Sequence, residues 1–128
     1  LFPEAMATLT QLRDDDYLLA IATGKGRRGL DRALHETGCA PLFHATRCAD
    51  EGRSKPHPEM LLALTEVRGV EPAHTLMVGD TEYDMAMARG AGAAALAVTH
   101  GVHSRERLLR HHPWGCIDHL SEIKRWLA

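Results

Sequence analysis

One stretch of the sequence decides the fold: Leu76-Met77-Val78-Gly79-Asp80-Thr81-Glu82-Tyr83-Asp84-Met85. Its apolar residues end in Gly79-Asp80, the pattern of a buried strand followed by a tight turn, and Asp84 follows four residues after Asp80. Ligands of an open α/β sheet bind at the carboxyl ends of the strands, where Asp80 is expected. Positions i and i+4 share a side once the chain becomes helical, so we expect Asp84 to point to the same place.

Two converging carboxylates with no basic residue between them suit a hard cation that prefers oxygen ligands, such as Mg²⁺. The alternative interpretation is a solvated loop followed by a helix whose first turn carries Asp84. The motif alone does not separate a metal site from a simple helix start, so the rest of the chain has to decide.

Strand and helix patterns alternate along the remaining sequence. Short apolar runs predict strands at Leu18–Ala22, Ala45–Ala49, Thr75–Val78 and Ala94–Val98. Apolar residues at helical spacing predict helices at Phe2–Arg13, around Leu30 to Leu34, from Pro58 to Gly69, and at Asp84–Ala91, Ser104–Arg110 and Ser121–Leu127. This alternation predicts an α/β domain with a mostly parallel sheet, and 128 residues fit a single domain, 1–128.

The composition is that of an ordinary globular domain, with 45% apolar and 25% charged residues and a formal net charge of −2. Nothing in it points to nucleic acid or to an anionic membrane surface, and no apolar run is long enough to span a bilayer. Three cysteines without a C-x-x-C pair argue against a disulfide framework and favour a reducing, cytoplasmic location. The chain begins at Leu1 and not at Met, so targeting signals stay open.

One motif suggests a different class of protein. Gly24-Lys25-Gly26-Arg27-Arg28-Gly29 matches G-x-G-x-x-G, follows a predicted strand, and has Asp50 about 20 residues further on, as in dinucleotide-binding domains. Thr23 separates the strand from the first glycine, and the paired arginines are unusual where the helix packs. A dinucleotide site also leaves Lys55 and Gly79–Asp84 without a role, so it ranks as a further alternative.

A second set of polar groups fits better. The first strand ends in Thr23-Gly24, a hydroxyl and a bare backbone N–H that can contact a phosphate oxygen. Ser54-Lys55-Pro56-His57-Pro58 places a lysine at the entry to the next helix, and Gly79–Asp84 supplies two acids. Hydroxyl, lysine and paired carboxylates at successive strand ends are the groups that phosphoryl transfer requires.

In this order the chain resembles the haloacid dehalogenase-like (HAD) phosphatase superfamily, and within it the phosphoglycolate-phosphatase-like branch. Ala22-Thr23-Gly24-Lys25 is similar to the second motif of that family, Lys55-Pro56-His57-Pro58 to the third, and Gly79–Asp84 to the fourth. The resemblance implies a Rossmann-like three-layer sandwich. It also implies a Mg²⁺-dependent phosphatase that acts on a small phosphorylated metabolite.

The resemblance also implies a role for each residue. Thr23 would hydrogen-bond the transferring phosphoryl group, helped by the Gly24 N–H, and Lys55 would neutralise negative charge. Asp80 would ligate Mg²⁺ directly. Asp84 would hold a metal-bound water or orient Lys55.

The chain departs from the family at the first motif, an apolar strand followed by Asp-x-Asp whose first Asp is the nucleophile. Asp14–Asp16 is the only similar triplet, but it precedes the Leu18–Ala22 strand, at the wrong edge of the sheet, and is expected to be a solvated turn. The central strand and the cap are therefore missing, and we expect a partial core from a longer enzyme. The strands on either side of the gap are expected to pair directly, or to form a homodimer through their exposed edges.

Other functions stay open. A phosphomutase would use the same core, and a non-catalytic pseudo-phosphatase could bind phosphate or a partner. The substrate is not readable, because in this family the cap selects it. A zinc site would require the histidines of the last third to converge, and an ordinary polar loop and helix face is the favoured interpretation. These five histidines are His100, His103, His111, His112 and His119.

Overall fold

The computed structural model describes residues 3–99 and 103–127. Five strands lie in this part of the chain: β1 (Ala20–Thr23), β2 (Ala45–Cys48), β3 (Leu76–Gly79), β4 (Ala94–Val98) and β5 (Gly115–Ile117). The α-helices of the same residues are α1 (Pro3–Asp14), α2 (Arg27–Thr37), α3 (Glu59–Val67), α4 (Glu82–Ala91), α5 (Arg105–Leu109) and α6 (Lys124–Leu127). Phe2, which the predicted first helix included, lies outside the described residues.

The strands form two separate parallel sheets. β1 pairs with β2, with Ala20 opposite Ala45 and Thr23 opposite Cys48. The other sheet has the order β3-β4-β5, and both of its pairings are parallel. The prediction of an α/β domain with parallel strands is therefore confirmed. β5 was not predicted, because its three residues are too few to show a pattern.

Strand β4 shows why helices cover both faces of the larger sheet. Alternate residues of a strand point to opposite faces. Ala95 and Ala97 join the buried cluster formed with α3, α4 and α5, whereas Leu96 packs with Leu12 of α1 and with Ile123 near the C-terminus. A strand that is apolar on both faces requires a cover on each side, and the result is the expected three-layer sandwich.

The expected pairing of β1 with β3 is wrong. Among the described residues, β1 pairs only with β2 and β3 only with β4, so a cavity of about 330 Å³ separates the two sheets. Ala22 of β1 and Met77 of β3 line this cavity and also pack on the same core cluster. Leu61 of α3 and Leu12 of α1 line it too. Side chains from both helical layers and from both strands therefore line the space between the unpaired edges of β1 and β3.

The acidic triplet behaves as predicted. Asp14 ends α1, and the backbone N–H of Asp15 donates to the Gln11 carbonyl at 2.9 Å. Asp16 has a left-handed φ of 68°, and all three acids are exposed. The triplet is thus a solvated helix end on the amino side of β1.

In the described residues, no helix has the length and hydropathy that a bilayer span requires.

Candidate active site

The candidate site begins where β3 meets α4. Thr81 is the N-cap of α4, and its hydroxyl accepts a hydrogen bond from the Asp84 N–H at 3.2 Å. In return, Asp84 Oδ2 accepts from the Thr81 N–H at 3.2 Å and from the Thr81 hydroxyl at 2.9 Å. This reciprocal capping satisfies two backbone donors at the helix start and fixes the Asp84 side chain.

Lys55 reaches the other oxygen of the same carboxylate. Its Nζ lies 2.5 Å from Asp84 Oδ1, and the side chains are 19% and 4% exposed. Asp84 Oδ1 has no well-aligned hydrogen-bond partner, so the contact is an ion pair that compensates a buried charge. Both oxygens of Asp84 are thus engaged within the protein. Of the two roles that the family resemblance implies for Asp84, this geometry favours orienting Lys55.

The segment that carries Lys55 is held on both sides. The Lys55–Pro56 peptide bond is cis. His57 Nδ1 accepts from the Glu59 N–H at 3.1 Å and so satisfies a donor at the start of α3. Pro58 packs closely on Gly90 of α4, where an added Cβ would lie 3.4 Å from the proline ring. The lysine therefore projects from a backbone that is packed against the helix bearing its partner.

Asp80 differs from Asp84 in being exposed. In the described part of the chain, its carboxylate makes no hydrogen bond and no ion pair. A free carboxylate at a strand end fits Mg²⁺, which is usually held by one or two carboxylates, by waters and by substrate phosphates. Asp80 can therefore serve as the direct ligand, while Asp84, whose two oxygens contact Lys55 and Thr81, stays a predicted residue of the metal site.

The end of β1 presents the predicted phosphate-binding groups. The Thr23 hydroxyl oxygen accepts from the Lys25 N–H at 3.1 Å, which leaves its O–H to donate elsewhere. Gly24 is exposed, and a Cβ built on it would meet no atom within 4 Å. A phosphate oxygen can thus approach both the hydroxyl and the backbone of this loop. This loop follows β1 and Asp80 follows β3, and these two strands are not hydrogen-bonded to each other.

The G-x-G-x-x-G segment has a structural partner. The Arg27 N–H, at the start of α2, donates to both oxygens of Asp50 at 3.1 and 3.2 Å. The Arg27 guanidinium donates to the Thr46 hydroxyl at 2.7 Å and to Glu51 at 2.8 Å, which lowers the pKa of the Glu51 carboxyl. A carboxylate therefore stands where a dinucleotide would place its pyrophosphate, and this argues against the dinucleotide alternative.

Potential metal ligands also lie close together on β2 and the turn after it. Within residues 3–99 and 103–127, they are Cys48, Asp50 and Glu51, whose donor atoms lie within 4.8 Å of one another. Glu51 already accepts from Arg27 and from the Cys48 N–H, and burial raises the pKa of the Cys48 thiol. Internal hydrogen bonds thus account for this group.

Sequence reasoning missed the role of His103. Its Nδ1 accepts from the Glu82 N–H at 3.0 Å, and only 9% of the residue is exposed. The other described histidines of the C-terminal third are not part of a group with metal-ligand spacing, and His100 lies outside the described residues. The backbone partner of His103 leaves no signal in the residue types, so no pattern could have indicated it.

Gly79 is required for space. A Cβ at this position would lie 2.4 Å from Asp84 Cβ and 2.5 Å from its Oδ2, far closer than atoms pack. We expect Gly79→Ala to lower the free energy of unfolding by about 2–3 kcal/mol, as overpacking does, and to displace Asp84. Chemical denaturation measures the change. Gly24→Ala is the matched control, and an equal loss in both variants would contradict this reading.

Fold and strand-end groups together define a parallel α/β protein of the Rossmann-like type. The family model for haloacid dehalogenase-like hydrolases matches residues 1–98. The chain belongs to this family, which confirms the resemblance drawn from the three motifs.

Curated relatives and a solved structure agree with this assignment. The chain is 39% identical, over 95% of its length, to a probable phosphatase IndB of Dickeya dadantii strain 3937. It is 30% identical, over 96% of its length, to a phosphoglycolate phosphatase of Vibrio vulnificus strain CMCP6. The whole chain superposes on the crystal structure of a predicted phosphoglycolate phosphatase from Haemophilus somnus 129PT, with a TM-score of 0.93 and 27% identity, covering 57% of that chain. The chain spans 54% of each of the two curated relatives.

Proposed function

We propose that this chain is the phosphate- and metal-binding part of a Mg²⁺-dependent phosphatase that acts on a small phosphorylated metabolite in the cytoplasm. One observation carries the proposal: Asp84, in the first turn of α4, is buried and paired with Lys55 at 2.5 Å, whereas Asp80, four residues earlier, is exposed and has no partner among the described residues. A half-buried lysine held by one acid, together with a second acid that is unpaired and four residues away from the first in the sequence, suits charge neutralisation and cation binding.

In this proposal, each group acts on the transferring phosphoryl group. The Thr23 O–H and the Gly24 N–H bind its oxygens: the Thr23 hydroxyl accepts from Lys25 and keeps its O–H for donation, and a Cβ built on the exposed Gly24 would meet no atom within 4 Å. Lys55 neutralises negative charge while Asp84 holds its Nζ in place. Asp80 would hold the cation, and bound Mg²⁺ would supply further charge neutralisation for the phosphoryl oxygens.

The nucleophile is proposed to come from a segment beyond these residues. Two features support this: the relatives are almost twice as long as this chain, and the cavity between β1 and β3 has the unpaired edges that an inserted strand requires. A strand placed there would end between Thr23 and Asp80. An Asp-x-Asp at its end would stand among the proposed binding groups.

The second candidate is a non-catalytic protein that uses the same groups to bind phosphate or a partner. A hydroxyl, a lysine and an unpaired carboxylate can bind phosphate or a cation without a nucleophile, so Thr23, Lys55 and Asp80 would serve this candidate too. Transfer to a second substrate hydroxyl, as in a phosphomutase, would require the same groups on this chain. A homodimer through the open edges of β1 and β3 also stays a prediction.

A Mg²⁺ titration followed by amide chemical shifts tests the proposed metal site. We expect weak, saturable shifts confined to Gly79–Asp84, because few protein ligands are present and Mg²⁺ keeps several of its waters. Asp80→Asn should abolish them, while Asp50→Asn, at the other acidic group, should leave them unchanged. A folded sample that shows no shifts at millimolar Mg²⁺ would contradict the site.

A further inference from the structure

The segment after β4 is attached to the start of α4 at three points. His103 Nδ1 accepts from the N–H of Glu82, the first residue of the helix, at 3.0 Å. The Tyr83 ring meets the His103 ring edge to face, with centroids 5.3 Å apart. Arg107 Nε donates to Glu82 Oε2 at 2.9 Å, which lowers the pKa of the Glu82 carboxyl.

These contacts, together with the Asp84–Lys55 pair, hold the start of α4, which directly follows the turn that carries Asp80. The first N–H groups of a helix have no partner inside the helix. The Thr81 hydroxyl accepts a hydrogen bond from the Asp84 N–H, and His103 Nδ1 accepts one from the Glu82 N–H. The turn is thereby fixed on one side by the Asp84–Lys55 pair and on the other by a buried imidazole.

We propose that His103 is a positioning residue for the metal site: by holding the Glu82 N–H, it sets the direction of the Asp80 carboxylate. This inference rests on the proposed function, since it concerns the cation that Asp80 would hold. His103 itself need not touch metal or substrate. When a residue that orients a metal ligand without touching the metal is removed, metal affinity commonly falls by about 10- to 100-fold.

Three variants of the complete protein separate positioning from simple packing. His103→Asn keeps an acceptor near the place of Nδ1, because the Asn carbonyl branches at the same atom of the side chain. His103→Phe fills the volume and keeps an aromatic ring beside Tyr83 but loses the acceptor. His103→Gln places its carbonyl one bond further out and serves if the Phe variant does not fold, as judged by circular dichroism.

Mg²⁺ affinity is measured by calorimetry without substrate, and KM for an aryl phosphate is measured at saturating Mg²⁺. We expect His103→Phe to weaken Mg²⁺ binding about tenfold with an unchanged KM, and His103→Asn to bind like the wild type. His103→Gln is expected to weaken binding as the Phe variant does.

Two results would overturn the inference: unchanged Mg²⁺ affinity in the folded Phe or Gln variant, or an equal loss in the Asn and Phe variants. A wild-type protein that binds no Mg²⁺, or whose binding survives Asp80→Asn, contradicts the proposed function as well. The wild type and the Asp80 control therefore show which of the two has failed.

Discussion

Asp80→Asn in the complete protein is expected to lower phosphatase turnover by at least about a hundredfold. Among the acids singled out for the site, Asp80 is the one whose carboxylate is exposed and unpaired in the described residues. In the proposed mechanism, its loss removes the direct cation ligand and the charge neutralisation that phosphoryl transfer needs, and removing one such group typically has an effect of this size. Initial rates on an aryl phosphate at several Mg²⁺ concentrations measure it.

The matched control is Asp31→Asn, at an exposed acid of α2 whose i, i+4 contact with Arg27 is a solvated surface pair. This variant should keep wild-type turnover and the same Mg²⁺ dependence. If Asp80→Asn retained most of its activity while remaining folded, Asp80 would not be the ligand on which the proposed mechanism depends.

Lys55→Met is expected to lower the free energy of unfolding by about 2–3 kcal/mol, because it leaves the buried Asp84 carboxylate without a counter-charge. The effect should fall below that of a fully buried pair, since the Lys55 side chain is 19% exposed. Urea unfolding of the chain measures it. Lys25→Met, at an exposed lysine of the β1 loop, is the control and should change stability by less than about 0.5 kcal/mol.

A double-mutant cycle with Asp84→Asn isolates the ion pair. The loss in Lys55→Met/Asp84→Asn should be smaller than the sum of the two single losses, because the second change removes the charge that the first left unpaired. Additive losses would mean that the 2.5 Å contact contributes no coupling and that Asp84 does not hold Lys55.

The periodic elements were predictable because their patterns report burial directly. β4 occupies the predicted residues Ala94–Val98, and β3 is shifted by one residue to Leu76–Gly79. β1 begins later than predicted, at Ala20, because its pairing with β2 starts there, with Ala20 opposite Ala45. Each of these strands is a short apolar segment, for which the type is readable and the ends are not.

Elements with little pattern of their own were not predictable. β5 has only three residues, and it forms a strand because it pairs with β4, which its own sequence does not indicate. The predicted C-terminal helix is a 3-10 turn, Leu120–Ile123, followed by α6. The conformation of the C-terminal residues depends on contacts with segments that are distant in the sequence, and a single sequence does not reveal such contacts.

The candidate site divides in the same way. Asp80, Asp84 and Lys55 could be selected as candidates because they follow the carboxyl ends of predicted parallel strands, where the ligands of an open α/β sheet bind. That Asp84 pairs with Lys55 and its cap, while Asp80 stays free, depends on a helix start whose geometry the residue types do not give. Gly79 was expected to permit a tight turn, and in the structure it provides space for Asp84.

The central claim is that a further strand, lying between β1 and β3, carries the nucleophile. The most direct test is hydrolysis of an aryl phosphate, measured for the 128-residue chain alone and for the protein extended to include its upstream segment. We predict background rates for the chain alone and Asp80-dependent turnover for the extended protein. Robust, Asp80-dependent hydrolysis by the chain alone would contradict the account, since these residues would then contain the nucleophile that we assign to the missing strand.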